Sequence, residues 1–326
     1  MSNPTPILPT IIAGPAIVTW NGNSYYSRAG IKAEFKRETF KITTDADGDI
    51  DERMKSQMTE VSFQPAGMCG AASTTMAPYF PYAVSAIGKS IFGPTNLPLV
   101  IVTKFGGTGN AGQTITYPRG AVTKFPPLRL KATDTLFGDM TFTCLGDPTV
   151  QPNGANAWET IASATFADTT FDETQITTDL YVAAYGSSPY NAMGSMAGFE
   201  VNLAMATDTI NADDFGHVDM ILKSLTATAK FAPSNLTQAQ MAALLSYQNT
   251  GYIFPGQSLA NAGTDLVIAG AGKGARVLSV TIHKAGPKQG GFMYSTGKHR
   301  LAAVEFTSKR TWSGGTPNDL WTIAVS

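Results

Sequence analysis

Apolar and polar residues alternate over several short stretches of this chain, and that period of two predicts β-strands. In IKAEFKRETF the apolar positions are Ile31, Ala33 and Phe35, which a strand places on one face. In MTEVSFQPAG, Val61 and Phe63 share a face, and the proline and glycine that follow end the strand. LPLVIVTKF, QTITYPRG, FPPLRLKAT and DMTFTCLG complete the first half of the chain with four more predicted strands.

Helical spacing is clear in one segment, SNLTQAQMAALLSYQ. Ser234 or Asn235 can cap it, and Met241, Leu244 and Leu245 lie near helical spacing. Because the pair Met-Ala at 241–242 is matched by Met-Ala at 76–77 in the first half, we expect one amphipathic α-helix in each half.

An internal repeat organises the whole sequence. Residues 29–65 match residues 197–233 at a constant offset of 168, with 11 of 37 positions identical. Shorter matches follow in the same order: 99–101 with 266–268, 142–143 with 306–307, and Trp158 with Trp321. Self-similarity of this kind indicates duplication, so we expect two tandem domains, residues 1–165 and 166–326. Each is predicted to be a β-sandwich or curled sheet with one flanking helix and one long polar loop. The alternative is two β-rich halves whose spacing agrees by chance.

Composition narrows the functional classes. The 326 residues include 23 Lys+Arg against 24 Asp+Glu, a formal charge of −1, and 14% of residues are charged against a typical value of about 25%. A globally basic nucleic-acid binder is therefore excluded. The 32 glycines and 19 prolines predict many turns between short strands.

Targeting and redox signals are few. The first 20 residues lack the basic region of a signal peptide, and no run of about 18 apolar residues predicts a membrane helix. We therefore expect a chain that folds in a cytoplasm, without a membrane partner. Cys69 and Cys144 are far apart, so they are predicted to be two free thiols.

The segment TDADGDIDE is the sharpest local feature. Asp45, Asp47, Asp49 and Asp51 surround Gly48, a spacing similar to that of calcium loops. Aligned on that glycine, however, two ligand positions fall on Thr43 and Met54, and the matching loop of the second half carries Phe215 and His217 in place of acids. The interpretation preferred over a calcium site is a solvated or interface-forming loop.

Enzymatic motifs lack the context that they require. GTGNAG at 107–112 fits a dinucleotide-binding pattern, but the β-branched QTITYPRG follows it instead of a helix. His217, His283 and His299 stand in no recognisable nucleophile or metal motif. We expect no catalytic residue, no cofactor and no enzymatic activity.

The segments GPAIVTWNGNSYYSRAGI, FKRETFKITTDADGDIDERMKSQMTEVSFQPAG and TKFPPLRLKATDTLFGDMTFTCLG together resemble the major tail proteins, or tail tube proteins, of tailed bacteriophages. The shared features are a first strand with a glycine turn, a polar loop with a D-x-x-G-x-x-D element, a strand that ends F-x-P, a helix and a late Thr- and aromatic-rich strand. Weaker versions recur in the second half.

The resemblance implies a structural protein of the virion tail, assembled in the host cytoplasm. In that family six similar domains form a ring around a channel that carries DNA, so a duplicated chain would close a ring as a trimer with pseudo-six-fold symmetry. The implied partners are further copies of the chain, DNA in transit through the lumen, and tape measure, terminator and baseplate proteins.

The subunit interface is expected at the two polar loops. The alternatives are another β-rich virion subunit, such as a decoration or baseplate protein, or a carbohydrate-binding β module. The predicted interface residues are Asp45, Gly48, Ile50, Asp51, Met54, Asp213, Gly216, Val218, Asp219 and Leu222.

Overall fold

The fold is mainly β, as the alternating pattern predicts. Among the described residues, most strands form two large antiparallel sheets, and two further pairs of strands form small two-stranded sheets. The fold is known from a computed structural model, which describes residues 16–45, 47–67, 76–93, 96–104, 110–133, 136–147, 149, 158–166, 179–186, 193–212, 216–234, 264–271, 277–289, 292–295, 298–301, 303–308, 312–313, 316–317 and 319–325.

Nine strands come from the first half of the chain. They are β1 (Ala16–Trp20), β2 (Asn23–Thr44), β3 (Gly48–Pro65), β4 (Leu99–Lys104), β5 (Ala111–Tyr117), β6 (Arg119–Lys124), β7 (Leu128–Leu130), β8 (Met140–Leu145) and β9 (Thr160–Thr165).

Eleven strands come from the second half. They are β10 (Tyr181–Tyr185), β11 (Gly194–Ala212), β12 (Gly216–Ser234), β13 (Thr264–Gly270), β14 (Leu278–Gln289), β15 (Phe292–Ser295), β16 (Lys298–Leu301), β17 (Val304–Thr307), β18 (Trp312–Ser313), β19 (Thr316–Pro317) and β20 (Trp321–Val325).

The strand order shows how the halves are joined. The first sheet runs β6-β8-β3-β2-β1-β4-β5-β9, and the second runs β10-β13-β14-β17-β12-β11-β7, with β20 on β14. The second sheet therefore ends on β7, a strand of the first half. Buried apolar side chains of the two halves form one continuous core, and the ring of Phe125 in the first half packs against Trp321 in the second at 6.2 Å.

Two long hairpins dominate the architecture, and they have the same pairing. Hairpin one is β2 with β3, and hairpin two is β11 with β12. The first closes with Thr44 opposite Gly48 and the second with Ala212 opposite Gly216, 168 residues later. Their irregularities also coincide: shifts fall between Ser27/Ile31, Glu38/Thr39 and Ile42/Thr43, and between Ser195/Phe199, Ala206/Thr207 and Ile210/Asn211.

The remaining pairings agree in the same way. β1 with β4, β4 with β5, β5 with β9 and β3 with β8 correspond to β10 with β13, β13 with β14, β14 with β20 and β12 with β17. The pairing of β6 with β8 corresponds to that of the end of β14 with β17. The division into domains at residue 165 stays a prediction, but the pairing is what a duplication requires.

The prediction of two long polar loops is wrong, because these segments are the ends of paired strands. The segment after Phe40 continues β2 up to Thr44, turns sharply, and returns as β3. Strand pairing persists because polar side chains link the two strands: Lys41 Nζ donates to Asp49 Oδ2 at 2.7 Å, and Thr39 Oγ1 donates to Glu52 Oε1. Cross-strand pairs of this kind stabilise a sheet even where both faces are exposed.

The predicted helix of the first half is also wrong. Residues 76–93 contain two single turns of 3-10 helix, Ala77–Tyr79 and Val84–Ala86. Pro78 and Pro81 lack the backbone N–H that a helix interior needs, so a continuous α-helix cannot form there. The helix predicted after Ser234 lies outside the described residues. In the part of the chain that the structure describes, none of the helical segments has the length and apolar character needed to cross a membrane.

Candidate assembly surface

The predicted interface residues of the first half lie at the far end of hairpin one. Gly48, with φ of 68°, begins β3 immediately after the turn, and the backbone N–H of Asp47 donates to Thr44 Oγ1 at 3.1 Å. Asp45 lies in this turn and Asp51 in β3. The polar turn therefore forms the tip of a ribbon in which every residue from 33 to 41 and from 48 to 55 is exposed.

Large apolar side chains are exposed on this ribbon. Ile50 and Met54 are 54% and 52% exposed, and Phe35 and Phe40 are exposed to a similar degree. A two-stranded ribbon is only marginally stable in water without a further strand or a packed face, and exposed apolar groups in one region indicate an interaction surface. The first-half residues of the predicted interface are thus available to a partner.

The four aspartates with calcium-loop spacing lie at the exposed end of hairpin one. Asp49 accepts a hydrogen bond from Lys41 Nζ, and Asp51 lies 3.3 Å from Nε of Arg53. Asp45, Asp47, Asp49 and Asp51 lie along a turn and a strand, and among the described residues no three acidic, histidine or cysteine side chains form a group that could hold a metal ion. The aspartates are therefore surface acids, two of which have basic neighbours on the same hairpin.

The predicted interface residues of the second half contact the first half of the same chain. Val218 O accepts a hydrogen bond from Nη1 of Arg119 at 2.7 Å, and Asp219 Oδ1 accepts one from Ser90 Oγ at 2.6 Å. Leu222 is fully buried, and its backbone exchanges hydrogen bonds with residues 88 and 89. These residues form a contact within the chain, and their predicted place between subunits stays a prediction. Asp213 lies outside the described residues.

Gly216 lies where the backbone of hairpin two comes close to that of β3. A Cβ at that position would lie 2.7 Å from Lys55 O and 2.8 Å from Ser56 Cα. A glycine there lets hairpin two approach the middle of β3, because any larger residue would force the two backbones apart.

A polar cluster centred on two buried side chains, Ser56 and His217, lies beside this contact, and no sequence motif predicts it. Ser56 Oγ lies 3.0 Å from Nε2 of His217 and donates to Glu38 Oε2 at 3.0 Å, while Nδ1 of His217 contacts Asn211 Oδ1. A serine beside a histidine is the arrangement of an activated nucleophile. Ser56 and His217 are both buried, however, so a substrate has no access to them in this conformation. The cluster satisfies polar groups where the two halves meet.

The two hairpins therefore have the same construction and opposite surroundings. Leu203 is 1% exposed and Leu222 is 0% exposed, whereas their equivalents Phe35 and Met54 are 50% and 52% exposed. Strand β12 of hairpin two packs against the first half of its own chain, whereas residues 208–211 at the end of β11 are exposed. The positions of hairpin one that correspond to Leu203 and Leu222 are open.

Neither a scan against protein-family models nor a search of curated proteins finds a match for this chain.

Proposed function

We propose that this protein is a structural subunit of a bacteriophage tail tube, in which rings of three chains stack into a conduit for DNA. The observation that carries the proposal is the pair of equivalent hairpins, one docked on the first half of its own chain and the other open. A chain with one such contact satisfied internally and the matching surface exposed is suited to repeating the contact with further copies of itself.

The symmetry of the contact supports closed rings or a filament. The internal contact joins hairpin two to a different surface of the first half, around residues 88–91 and Arg119, so it is heterologous. Heterologous contacts repeat head to tail, and they end only when a ring closes. A tube of stacked rings uses this property.

The charge of the chain fits a conduit. Its formal net charge is −1, and phosphate contacts by Lys and Arg supply most non-specific affinity for DNA. DNA would therefore pass through the lumen without being held. In this proposal the tube belongs to the virion tail, assembles in the host cytoplasm, and meets tape measure, terminator and baseplate proteins along its length and at its ends.

Electron microscopy of the concentrated, purified protein tests the proposal. Negatively stained samples should contain rings or tubes with a central channel, and light scattering should show particles that grow with protein concentration. A protein that stays monomeric at high concentration, with or without an added tail initiator complex, would overturn the proposal. That result would favour a decoration or baseplate protein, or a carbohydrate-binding module.

A further inference from the structure

One strand of the first half completes the sheet of the second half. β7 pairs with β11, with Leu130 opposite Phe199 and Leu128 opposite Val201. The same segment folds back on itself, because Leu128 bridges Phe137 and the backbone N–H of Arg129 donates to Leu136 O at 2.7 Å. β7 is therefore a strand of the first half that adds to the edge of hairpin two, and we call it the lending strand.

The second half contains the counterpart of this lending strand. In β15 and β16, Phe292 lies opposite Leu301 and Met293 opposite Arg300, which are the pairings of residues 128 with 137 and 129 with 136, 164 residues later. The same offset relates Phe142 of β8 to Phe306 of β17, which pair with equivalent residues of β3 and β12. β15 is thus the equivalent of β7, but among the described residues it pairs with β16 alone.

Hairpin one contains the counterpart of the accepting edge. Phe199 and Val201 of β11 correspond to Ile31 and Ala33 of β2, which occupy the same register opposite β3. β1 pairs with β2 only at residues 23–26, so in the described part of the chain no strand lies along residues 31–33 on the side away from β3.

The surroundings of two glycines show that this edge is open. A Cβ on Gly198 would lie 2.7 Å from Cβ of Lys131 and 3.1 Å from Leu130 O, because the lent strand passes beside it. Gly30 has nearly the same backbone conformation, with φ of 93° against 85°, but a Cβ there would meet no atom within 4 Å.

One chain therefore carries both an unused lending strand and an unused accepting edge, and the geometry points to their pairing between chains. β15 of one copy adds to the edge of β2 in the next copy, antiparallel, with the register that β7 uses on β11. Tyr294 then lies opposite Ile31, Met293 opposite Lys32, and Phe292 opposite Ala33. This inference rests on the proposed assembly into rings and specifies the contact that joins neighbouring chains within a ring.

Strand addition has a clear energetic basis here. The exposed edge of β2 presents unpaired backbone N–H and C=O groups, which pair readily with another extended chain. The partner is a second copy of this chain because the required strand is present in it, with a register fixed by the internal example. Each chain contributes one lending strand, β15, and one accepting edge, on β2. The contact therefore repeats in one direction from chain to chain.

Disulfide trapping tests the register. Two variants are prepared separately, Lys32→Cys and Met293→Cys, then mixed, concentrated and oxidised. Antiparallel neighbours have Cα atoms about 4.5–5.5 Å apart, within the range that a disulfide can bridge. We expect a linked dimer of the two variants, at least tenfold more abundant than in a mixture of Lys32→Cys with Thr322→Cys, which places a cysteine at an exposed position of β20. The parent protein, which keeps Cys69 and Cys144, gives the background.

A chain that carries both cysteines provides the second measurement. Pairing between chains yields a ladder of linked multimers under non-reducing conditions. A linked monomer would mean that β15 returns to β2 of its own chain, and it would overturn the inference. Equal cross-linking in the Thr322→Cys mixture would overturn it too.

Microscopy of the same samples separates this inference from the proposed function. Tubes that form without the Lys32–Met293 link would refute the strand register and leave the tube assignment standing. Linked multimers that never form rings or tubes would support the register and refute the tube assignment.

Discussion

Gly48 and Gly216 illustrate how the same residue serves two purposes in one chain. Both follow the hairpin turn and both have positive φ, 68° and 77°. Only Gly216 faces another backbone, that of Lys55 and Ser56, while the space around Gly48 is open. Backbone freedom is therefore required at both positions, and the absence of a side chain only at Gly216.

This difference predicts unequal costs for the same substitution. Gly48→Ala places an L-residue in the left-handed region and should lower the free energy of unfolding by about 1 kcal/mol. Gly216→Ala adds a steric clash with β3 and should lower the free energy of unfolding by about 1–3 kcal/mol more than Gly48→Ala does. Urea unfolding of the two variants at equal protein concentration measures both values. Equal losses would contradict the close approach of hairpin two to β3.

Asp265 is held by the neighbouring strand β14. Burial by itself would raise its pKa, but the backbone N–H of Lys284, at 3.0 Å from Oδ1, and the ring of His283, at 3.1 Å from Oδ2, lower the pKa below its usual value. A lowered pKa means that this carboxylate stabilises the fold above the pKa of the unfolded chain, near 3.9, and that the contribution disappears as the pH falls through the lower folded value.

The effect can be measured with Asp265→Asn. At neutral pH the variant should unfold at a lower temperature than the parent. Its free energy of unfolding should be lower by about 1 kcal/mol, because the hydrogen bonds to the side chain at position 265 are weaker. The difference in melting temperature between the variant and the parent should decrease steadily below about pH 4. Asp208→Asn, in an exposed ion pair with Lys223, is the control and should change the melting temperature little at any pH. A gap for Asp265→Asn that persists unchanged at pH 2 would show that its charge is irrelevant.

At the scale of elements, the sequence predicts the strands in which apolar residues alternate, whether or not the apolar face is buried. Val61 and Phe63 alternate and are buried, and Ala33 and Phe35 alternate but are exposed. Residues 48–55 lack a period of two. The polar end of hairpin one therefore has the pattern of a loop. The helix expected near Met76 does not form, because Pro78 and Pro81 interrupt that segment.

The candidate surface was predictable only in part. The constant offset already identifies the tip of each hairpin as an equivalent feature. Which hairpin is covered could not be read from the sequence, because the contacts that cover hairpin two join residues about 100 to 160 positions apart, such as Arg119 with Val218 and Ser56 with His217. The lending strand β7 lies within FPPLRLKAT, which the pattern predicts as a strand, but nothing in the sequence indicates that it pairs with β11 of the second half.

The exposed ribbon makes a prediction about assembly. Ile50→Asp should leave the monomer folded, because the side chain is more than half exposed, and should abolish rings and tubes, since a charge in an apolar contact must be desolvated without a partner. Ile50→Val keeps the apolar contact and is the matched control. Circular dichroism checks the fold and electron microscopy the assembly. Normal tubes from Ile50→Asp would show that the tip of hairpin one makes no contact between chains.

At the scale of the whole molecule, the presence of two similar halves in one chain changes the energetics of the proposed assembly. The internal contact between the halves is formed within one chain, so it does not incur the translational and rotational entropy cost of association. Only the proposed contact between chains incurs this entropy cost. The two hairpins are also free to differ, and the sequence has aspartates at 47 and 49 where the second half has Phe215 and His217.

The number of chains in a ring follows from this arrangement. Each chain supplies two similar hairpins and two similar lending strands, one pair used internally between β7 and β11 and one pair proposed to join β15 to β2 of the next chain. If the ring holds six hairpins, as the resemblance to tail tube proteins implies, three chains close it and internal and intermolecular contacts alternate around the axis. Electron cryomicroscopy of assembled tubes should then show three-fold symmetry that approaches six-fold only at low resolution, because hairpin tips at the same height differ in sequence. The mass of an isolated ring should be three times that of the chain, about 103 kDa from 34.4 kDa per chain. Six identical chains per ring would mean that the two halves do not occupy equivalent positions, and the duplication would then serve some purpose other than closing the ring.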